Sequence, residues 1–155
     1  MSYLVLARKW RPKLFNEVVG QQHVVQALQN SILNKKINQA YIFNGTRGVG
    51  KTSIARILTK VLNCKNPKNG EPCNECDQCL AMNENSLLDF QEIDAASRRS
   101  REETMNLLET VPYLPTSSKY KVYLIDEVHM LTKESFNALL KTLEEPPPHL
   151  SLIHI

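Results

Sequence analysis

Short apolar runs alternating with stretches of helical periodicity predict an α/β fold, a parallel sheet with flanking helices. Three observations carry that expectation. "KVYLID", Lys121 to Asp126, is a strand-forming run whose inner residues Val122 to Ile125 are all aliphatic or aromatic. "AYIFN", Ala40 to Asn44, is a second apolar run, ending at Gly45. Between them lies Gly45-Thr46-Arg47-Gly48-Val49-Gly50-Lys51-Thr52, a glycine-rich turn followed by helical periodicity.

In chain order, "YLVLARKWRPKLFNEVVG" carries scattered basic residues and Pro12 and reads as an irregular arm with a short helix. From Gln21 to about Leu33, the positions Val24, Val25, Leu28 and Ile32 recur at helical spacing. "AYIFN" reads as a buried strand. A helix follows from Lys51 to about Asn63, with Ile54, Ile57, Leu58 and Val61 on one face. "FQEI", Phe90 to Ile93, is a weaker strand. Ser100 followed by Glu103 makes a capping-box pattern for a helix through Met105, Leu108 and Val111. After "KVYLID", Thr132 caps a helix whose stripe is Phe136, Leu139, Leu140 and Leu143. "EEPPP" stops that helix, because proline cannot continue it.

The chain's 155 residues suit one ordinary core, and 42% hydrophobic with 23% charged residues is a globular composition. A net charge of +3 is too mild to argue for nucleic-acid binding by itself. Leu4 to Ala7 is too short for a signal-peptide core, and no run approaches the roughly 18 apolar residues of a membrane span. A cytoplasmic location is therefore expected.

Gly45 to Thr52 fits G-x-x-x-x-G-K-[ST] at every fixed position. Glycines let the backbone curl so that successive N–H groups face phosphate oxygens, and the helix behind adds its positive end. Lys51 would reach the β- and γ-phosphates, and the Thr52 hydroxyl would ligate Mg2+. The bland alternative is a chance glycine-rich turn ahead of a helix. Asp126 and Glu127 end the "KVYLID" strand, where an acidic residue supports Mg2+ and its neighbour positions or deprotonates the attacking water. Asp126 is assigned to the metal and Glu127 to the water. Alone, such a pair reads as solvated loop residues; the phosphate loop upstream reverses that order.

Cys64, Cys73, Cys76 and Cys79 follow the spacing C-x8-C-x2-C-x2-C. Overlapping C-x2-C steps wrap one tetrahedral ion, and four thiolates suit Zn2+. Four protein ligands leave no open position, so the ion is expected to be structural and to hold an irregular polar loop. Disulfides in a chain without a secretory signal, or a Cys73–Cys76 redox pair, are the alternatives.

These motifs, with "YLVLARKWRP", "VVGQQHV", "DAASR", "DEVH" and "SFNALLKTLEEPPPH", resemble the AAA+ clamp-loader ATPases of bacterial DNA polymerase III, of the gamma/tau kind. The resemblance covers nearly the whole chain, to about His149. It implies a partial, truncated P-loop NTPase (AAA+) domain over residues 1–149 with a zinc-binding insertion at about 64–79. It further implies an ATPase within the DNA polymerase holoenzyme that loads a ring-shaped sliding clamp onto primed DNA, working in a pentamer with other loader subunits. ATP, Mg2+ and Zn2+ are the implied cofactors. The N-terminal arm of this family lies near the adenine, which makes Ala7, Arg11, Pro12 and Val19 candidate contacts. The basic stretch with Arg98, Arg99 and Arg101 would face DNA phosphates, with a solvated basic turn as the alternative.

The pattern departs at the end. "LSLIHI" stands where the family continues with a strand apolar on both faces. That strand would lie between the phosphate-loop strand and the Asp126 strand, and its loss is expected to leave a gap in the sheet. The tail also resembles translated sequencing-adapter read-through, so residues 150–155 are read as non-native, with truncation or frameshift as alternatives. Lacking the family's trans-acting arginine, these residues alone are expected to hydrolyse ATP slowly or not at all. Rival readings are a P-loop phosphotransferase with a zinc ribbon, a non-catalytic loader subunit, and a DNA repair ATPase of the same fold.

Overall fold

The computed structural model describes residues 6–43, 50–96 and 100–154. Its elements run α1 (Leu6–Lys9), a 3-10 turn (Phe15–Glu17), α2 (Gln22–Leu33), β1 (Ala40–Ile42), α3 (Lys51–Asn63) and α4 (Asp77–Asn83). They continue as β2 (Phe90–Asp94), α5 (Ser100–Glu109), β3 (Lys121–Asp126), a 3-10 turn (Val128–Met130), α6 (Lys133–Glu144) and β4 (Leu150–His154). The four strands form one sheet in the order β1-β4-β3-β2, and every pairing is parallel.

Alternation along β3 divides the core. Val122 and Leu124 pack with Ile54, Ile57 and Leu58 of α3, Val25 and Leu28 of α2, and Phe15 and Val18 of the arm. Tyr123 and Ile125 pack on the other face with Ile93, Val111 and Leu139. A strand covered on both faces needs an uninterrupted apolar run, which is what "KVYLID" supplies.

The expected gap in the sheet is not there. Residues 150–154 pair on both sides, Leu152 with Ala40 and with Tyr123, and Ile153 is fully buried. A ladder is held by backbone groups, so a strand needs few ideal side chains to take its place in the sheet. Three further expectations are corrected. β1 is an edge strand among the described residues, with Ala40 and Ile42 exposed, so it is covered on one face only. On α6 the inward row is Ser135 and Leu139, while Phe136 and Leu140 are 43% and 40% exposed. Leu139 is buried and Leu143 packs against the same cluster, as the stripe requires, and Thr132 caps the helix start by accepting the Ser135 N–H at 3.2 Å. The cysteine segment is not wholly irregular: it contains α4, whose Cys79 and Met82 are buried. Thr59, Lys60, Leu62 and Asn63 of α3 are buried as well as the expected stripe, Lys60 reaching Asn83 of α4 and Asn63 the backbone of Tyr120.

The loop before β3 is tied by Asp89, which is 3% exposed. Its carboxylate accepts the N–H groups of Thr116, Ser117 and Ser118 at 2.7, 2.8 and 2.9 Å. Burial pushes its pKa up, but these donors together outweigh burial and hold it below the ordinary carboxylate value. Asp89→Ala, which leaves three N–H groups without their acceptor, is expected to cost about 3 kcal/mol, read as a lowered unfolding midpoint. Since the folded pKa is depressed, the ionised group's contribution is complete above the unfolded carboxylate range and is lost as pH falls through the folded value. Asp89→Asn should flatten that acid limb; an unchanged limb would show that other carboxylates set it. Among the described residues no helix is long and apolar enough to cross a membrane.

Candidate functional site

The site lies along the carboxyl edge of the sheet. Ile42 of β1 is level with His154 of β4, which is level with Ile125 of β3. Asp126 therefore emerges two strands from the end of β1, a lateral offset of roughly 10 Å at ordinary strand spacing. Residues 45–49 lie outside the described residues; Gly50, Lys51 and Thr52 lie within them. Gly50 sits at φ +85°, a left-handed conformation that glycine adopts without penalty, and its carbonyl accepts the Ile54 N–H at 2.9 Å. α3 thus opens at Lys51, with Lys51 and Thr52 half-buried in its first turn. The first N–H groups of a helix have no partner within the helix itself, which makes such a turn a natural seat for an anion.

At the end of β3, Asp126 pairs in register with Asp94 of β2, and the Asp126 carbonyl accepts the Ala95 N–H at 3.0 Å. Glu127 follows in the left-handed region, φ 56° and ψ 47°. A non-glycine residue held there costs energy, and such positions concentrate where a side chain must be aimed. One Glu127 carboxylate oxygen lies 3.2 Å from His129 Nε2. Asp94 and His129 were missed at the sequence level. The acidic end of "FQEID" and the spacing of "DEVH" were legible, but only strand register brings Asp94 beside Asp126.

The arm borders the same edge. A Cβ at Gly50 would lie 3.9 Å from Val18 Cγ1, so the arm touches the residue that opens α3. Arg11 and Pro12 are half-buried and Val19 is 91% exposed. Ala7 belongs to α1, though its side chain is outside the description. Arg98 and Arg99 lie outside the described residues, and of Arg101 only its place in the first turn of α5 is described.

The four cysteines converge. Their sulfurs all lie within 4.8 Å of one another, with Cys73–Cys79 and Cys64–Cys76 at 4.0 Å. A tetrahedron of sulfurs about 2.3 Å from an ion has edges of about 3.8 Å, whereas a disulfide needs about 2.05 Å. All four are free thiols. Backbone N–H groups already point at the sulfurs: Cys73 N–H to Cys64 Sγ at 3.3 Å, Cys76 N–H to Cys73 Sγ at 3.3 Å, and Cys79 N–H to Cys76 Sγ at 3.5 Å. Donors of this kind favour thiolate. The Glu75 N–H leads in lowering the Cys73 pKa to about 6, while burial pushes Cys64 and Cys79 upward in the absence of a cation. The donor set, separations and oriented amides fit a four-coordinate metal ion.

Residues 20–155 match the model of the family described as DNA polymerase III, delta subunit. Over 153 residues, 99% of the chain, it is 56% identical to the DNA polymerase III subunit tau/gamma of Haemophilus influenzae and 57% identical to the subunit tau of Escherichia coli. The chain spans 22% and 24% of the length of those two relatives. Among solved structures it resembles a DNA polymerase III gamma subunit-related protein of Thermotoga maritima, with a TM-score of 0.55 at 18% identity. That likeness covers 83% of this chain and 38% of the other, and it shows the fold alone. The parallel sheet with flanking helices expected from the sequence is thereby observed.

Proposed function

The chain belongs to the family described as DNA polymerase III, delta subunit, and from that premise we propose that it is the nucleotide-binding part of a motor subunit of the bacterial sliding-clamp loader. In that role it binds and hydrolyses ATP while the clamp is placed on primed DNA, together with other loader subunits in a pentamer. Residues 45–52 hold the triphosphate, with Lys51 on its β- and γ-phosphates. Thr52 and Asp126 serve Mg2+, and Glu127 serves the attacking water. Ala7, Arg11, Pro12 and Val19 border the adenine. Arg98, Arg99 and Arg101 face DNA phosphates. Cys64, Cys73, Cys76 and Cys79 hold a structural Zn2+ within the insertion 64–79, which supplies cross-linking and no open coordination position.

One observation carries the reading: Gly50, Lys51 and Thr52 open α3 on the same sheet edge where β3 delivers Asp126 and Glu127. An anion seat and a carboxylate pair on one edge are what metal-assisted phosphoryl transfer to water requires. Chemistry on this chain then consists of holding the phosphates, neutralising their charge and orienting water, with the metal supplying the remaining positive charge.

The test is Mg-ATP binding by the full-length subunit. Lys51→Ala is expected to weaken it about 10- to 100-fold, the loss of one charge-assisted contact, and to abolish clamp loading by the reconstituted loader. Unchanged ATP affinity would remove the phosphate loop from the proposed function.

A further inference from the structure

We infer that Glu71 and Lys60 strap the cysteine module to the N-terminal arm, so that the metal in the module fixes the arm beside the nucleotide. This rests on the reading above, in which the arm borders the adenine. Glu71 and Lys60 are positioning residues: neither is a metal ligand and neither is assigned to the nucleotide.

The first tie runs from the loop between Cys64 and Cys73. Lys68 and Glu71 exchange backbone hydrogen bonds at 3.0 and 2.9 Å, making a tight turn that presents the Glu71 side chain. One Glu71 carboxylate oxygen accepts the Phe15 N–H at 2.9 Å, and the other accepts from Gln29 Nε2 of α2 at 2.7 Å. The turn is seated closely, because a Cβ at Gly70 would lie 3.2 Å from Gln29 Cβ. Gly70 has φ +73°, so both the conformation and the fit disfavour a larger residue. Phe15 is 1% exposed, and Val18, three residues on, is the arm residue that meets Gly50.

The second tie starts on α3, the helix that the phosphate loop opens. Lys60 is 4% exposed, and its ammonium donates to the Lys13 carbonyl at 2.7 Å, Asn74 Oδ1 at 2.8 Å and Asn83 Oδ1 at 3.1 Å. Those three acceptors use all three protons, which is what lets a buried ammonium stay buried. Asn74 lies between Cys73 and Cys76 at φ 57°, and its own amide donates to the same Lys13 carbonyl at 3.3 Å. The Lys13 carbonyl is thus gripped both by α3 and by the cysteine knuckle.

Coupling follows from this geometry. An ion on Cys73 and Cys76 fixes the short loop that carries Asn74, and an ion on Cys64 and Cys73 fixes the ends of the loop that carries Glu71. Residues 13–18 are held between these ties, immediately after Arg11 and Pro12 and immediately before Val19. Loss of either tie loosens the arm, leaving the packing of Phe15 and Val18 as its remaining hold, and removes no contact made by Lys51 or Thr52. Base recognition should then weaken while phosphate recognition stays.

The experiment compares Glu71→Ala and Lys60→Met in the zinc-loaded, full-length subunit, with the metal-stripped wild type alongside. Zinc content, amide hydrogen exchange of the arm peptide, and affinities for ATP and for tripolyphosphate are measured. Both variants are expected to keep wild-type zinc content and to show faster exchange in the arm. ATP binding should fall about tenfold, as for a competent arm populated a tenth of the time, with tripolyphosphate binding unchanged. Glu71→Gln, which keeps one carbonyl acceptor, should recover part of the loss. Wild-type exchange and a wild-type ATP-to-tripolyphosphate ratio in these variants would overturn the proposal. Should Lys60→Met fail to fold, Glu71→Ala decides alone, since Glu71 is only half-buried. A wild type that binds no ATP would sink the nucleotide reading instead, and arm exchange would still decide whether the strap exists.

Discussion

Stripping the metal from the full-length subunit is expected to lower the stability of this part of the chain by about 5 kcal/mol, against the 10 or more typical of a free zinc-finger peptide. The reduction from the peptide value follows from α4. Cys79 and Met82 are buried against α3, so part of the module would stay docked without an ion. What would be lost is the knuckle from Cys73 to Cys76 and the loop back to Cys64, which sulfur–metal bonds would cross-link under the proposed zinc binding. Cys73→Ser should do the same, with zinc content falling in parallel. The pH dependence has a definite sign. Cys73, lowered to about 6, needs no deprotonation at neutral pH, whereas Cys64 and Cys79, pushed up by burial, must each release a proton when the ion binds. Metal affinity should therefore rise with pH across the neutral range and fall away further once Cys73 itself protonates below about 6. Calorimetry with and without a strong chelator, and proton release followed by a pH indicator, measure both. An unfolding midpoint indifferent to chelation would remove the structural metal.

Some of this architecture was legible in the residues because one local cause dominated. "KVYLID" is covered on both faces, so its pattern had no competing reading, and its limits in the structure are those read from the sequence. α3 was equally plain, since Gly50 and the apolar stripe fix its start and its inward face. Where a residue's environment is set by distant partners, the reading failed. Exposure of Ile42 depends on β1 standing at the edge, which no property of "AYI" announces. The expected gap in the sheet is absent because backbone pairing to β1 and β3 takes up residues 150–154 whatever their side chains. α4 has only seven residues, so the helical spacing of Cys79 and Met82 is too short a run to mark it. The two ties to the arm span 56 and 47 positions in sequence, a separation at which periodicity carries no information.

Replacing Glu127 by glutamine in the assembled loader is expected to slow ATP turnover by about 10²- to 10⁴-fold, the usual contribution of a positioned general base, while leaving ATP affinity near that of the wild type. Glutamine keeps the volume and one acceptor oxygen but cannot take a proton from water. The backbone supports this division of labour. Asp126 is the last residue of β3, held by pairing with Asp94 and by the Ala95 N–H on its carbonyl, as suits a fixed metal partner. Glu127 lies just beyond the ladder in a left-handed conformation, which turns the chain sharply between the two carboxylates. Asp126→Asn should therefore weaken the dependence of ATP binding on Mg2+, an effect Glu127→Gln should not share. His129 Nε2 lies 3.2 Å from a Glu127 carboxylate oxygen on the exposed side, so an orienting role for it is testable. His129→Ala is accordingly expected to lower turnover by less than Glu127→Gln does, since the base itself remains. Single-turnover hydrolysis and equilibrium nucleotide binding, measured on the same preparations, separate the two carboxylates. A glutamine variant that turns over like the wild type would move the water-activating role elsewhere on this edge, with Asp94, in register with Asp126, the next carboxylate to replace.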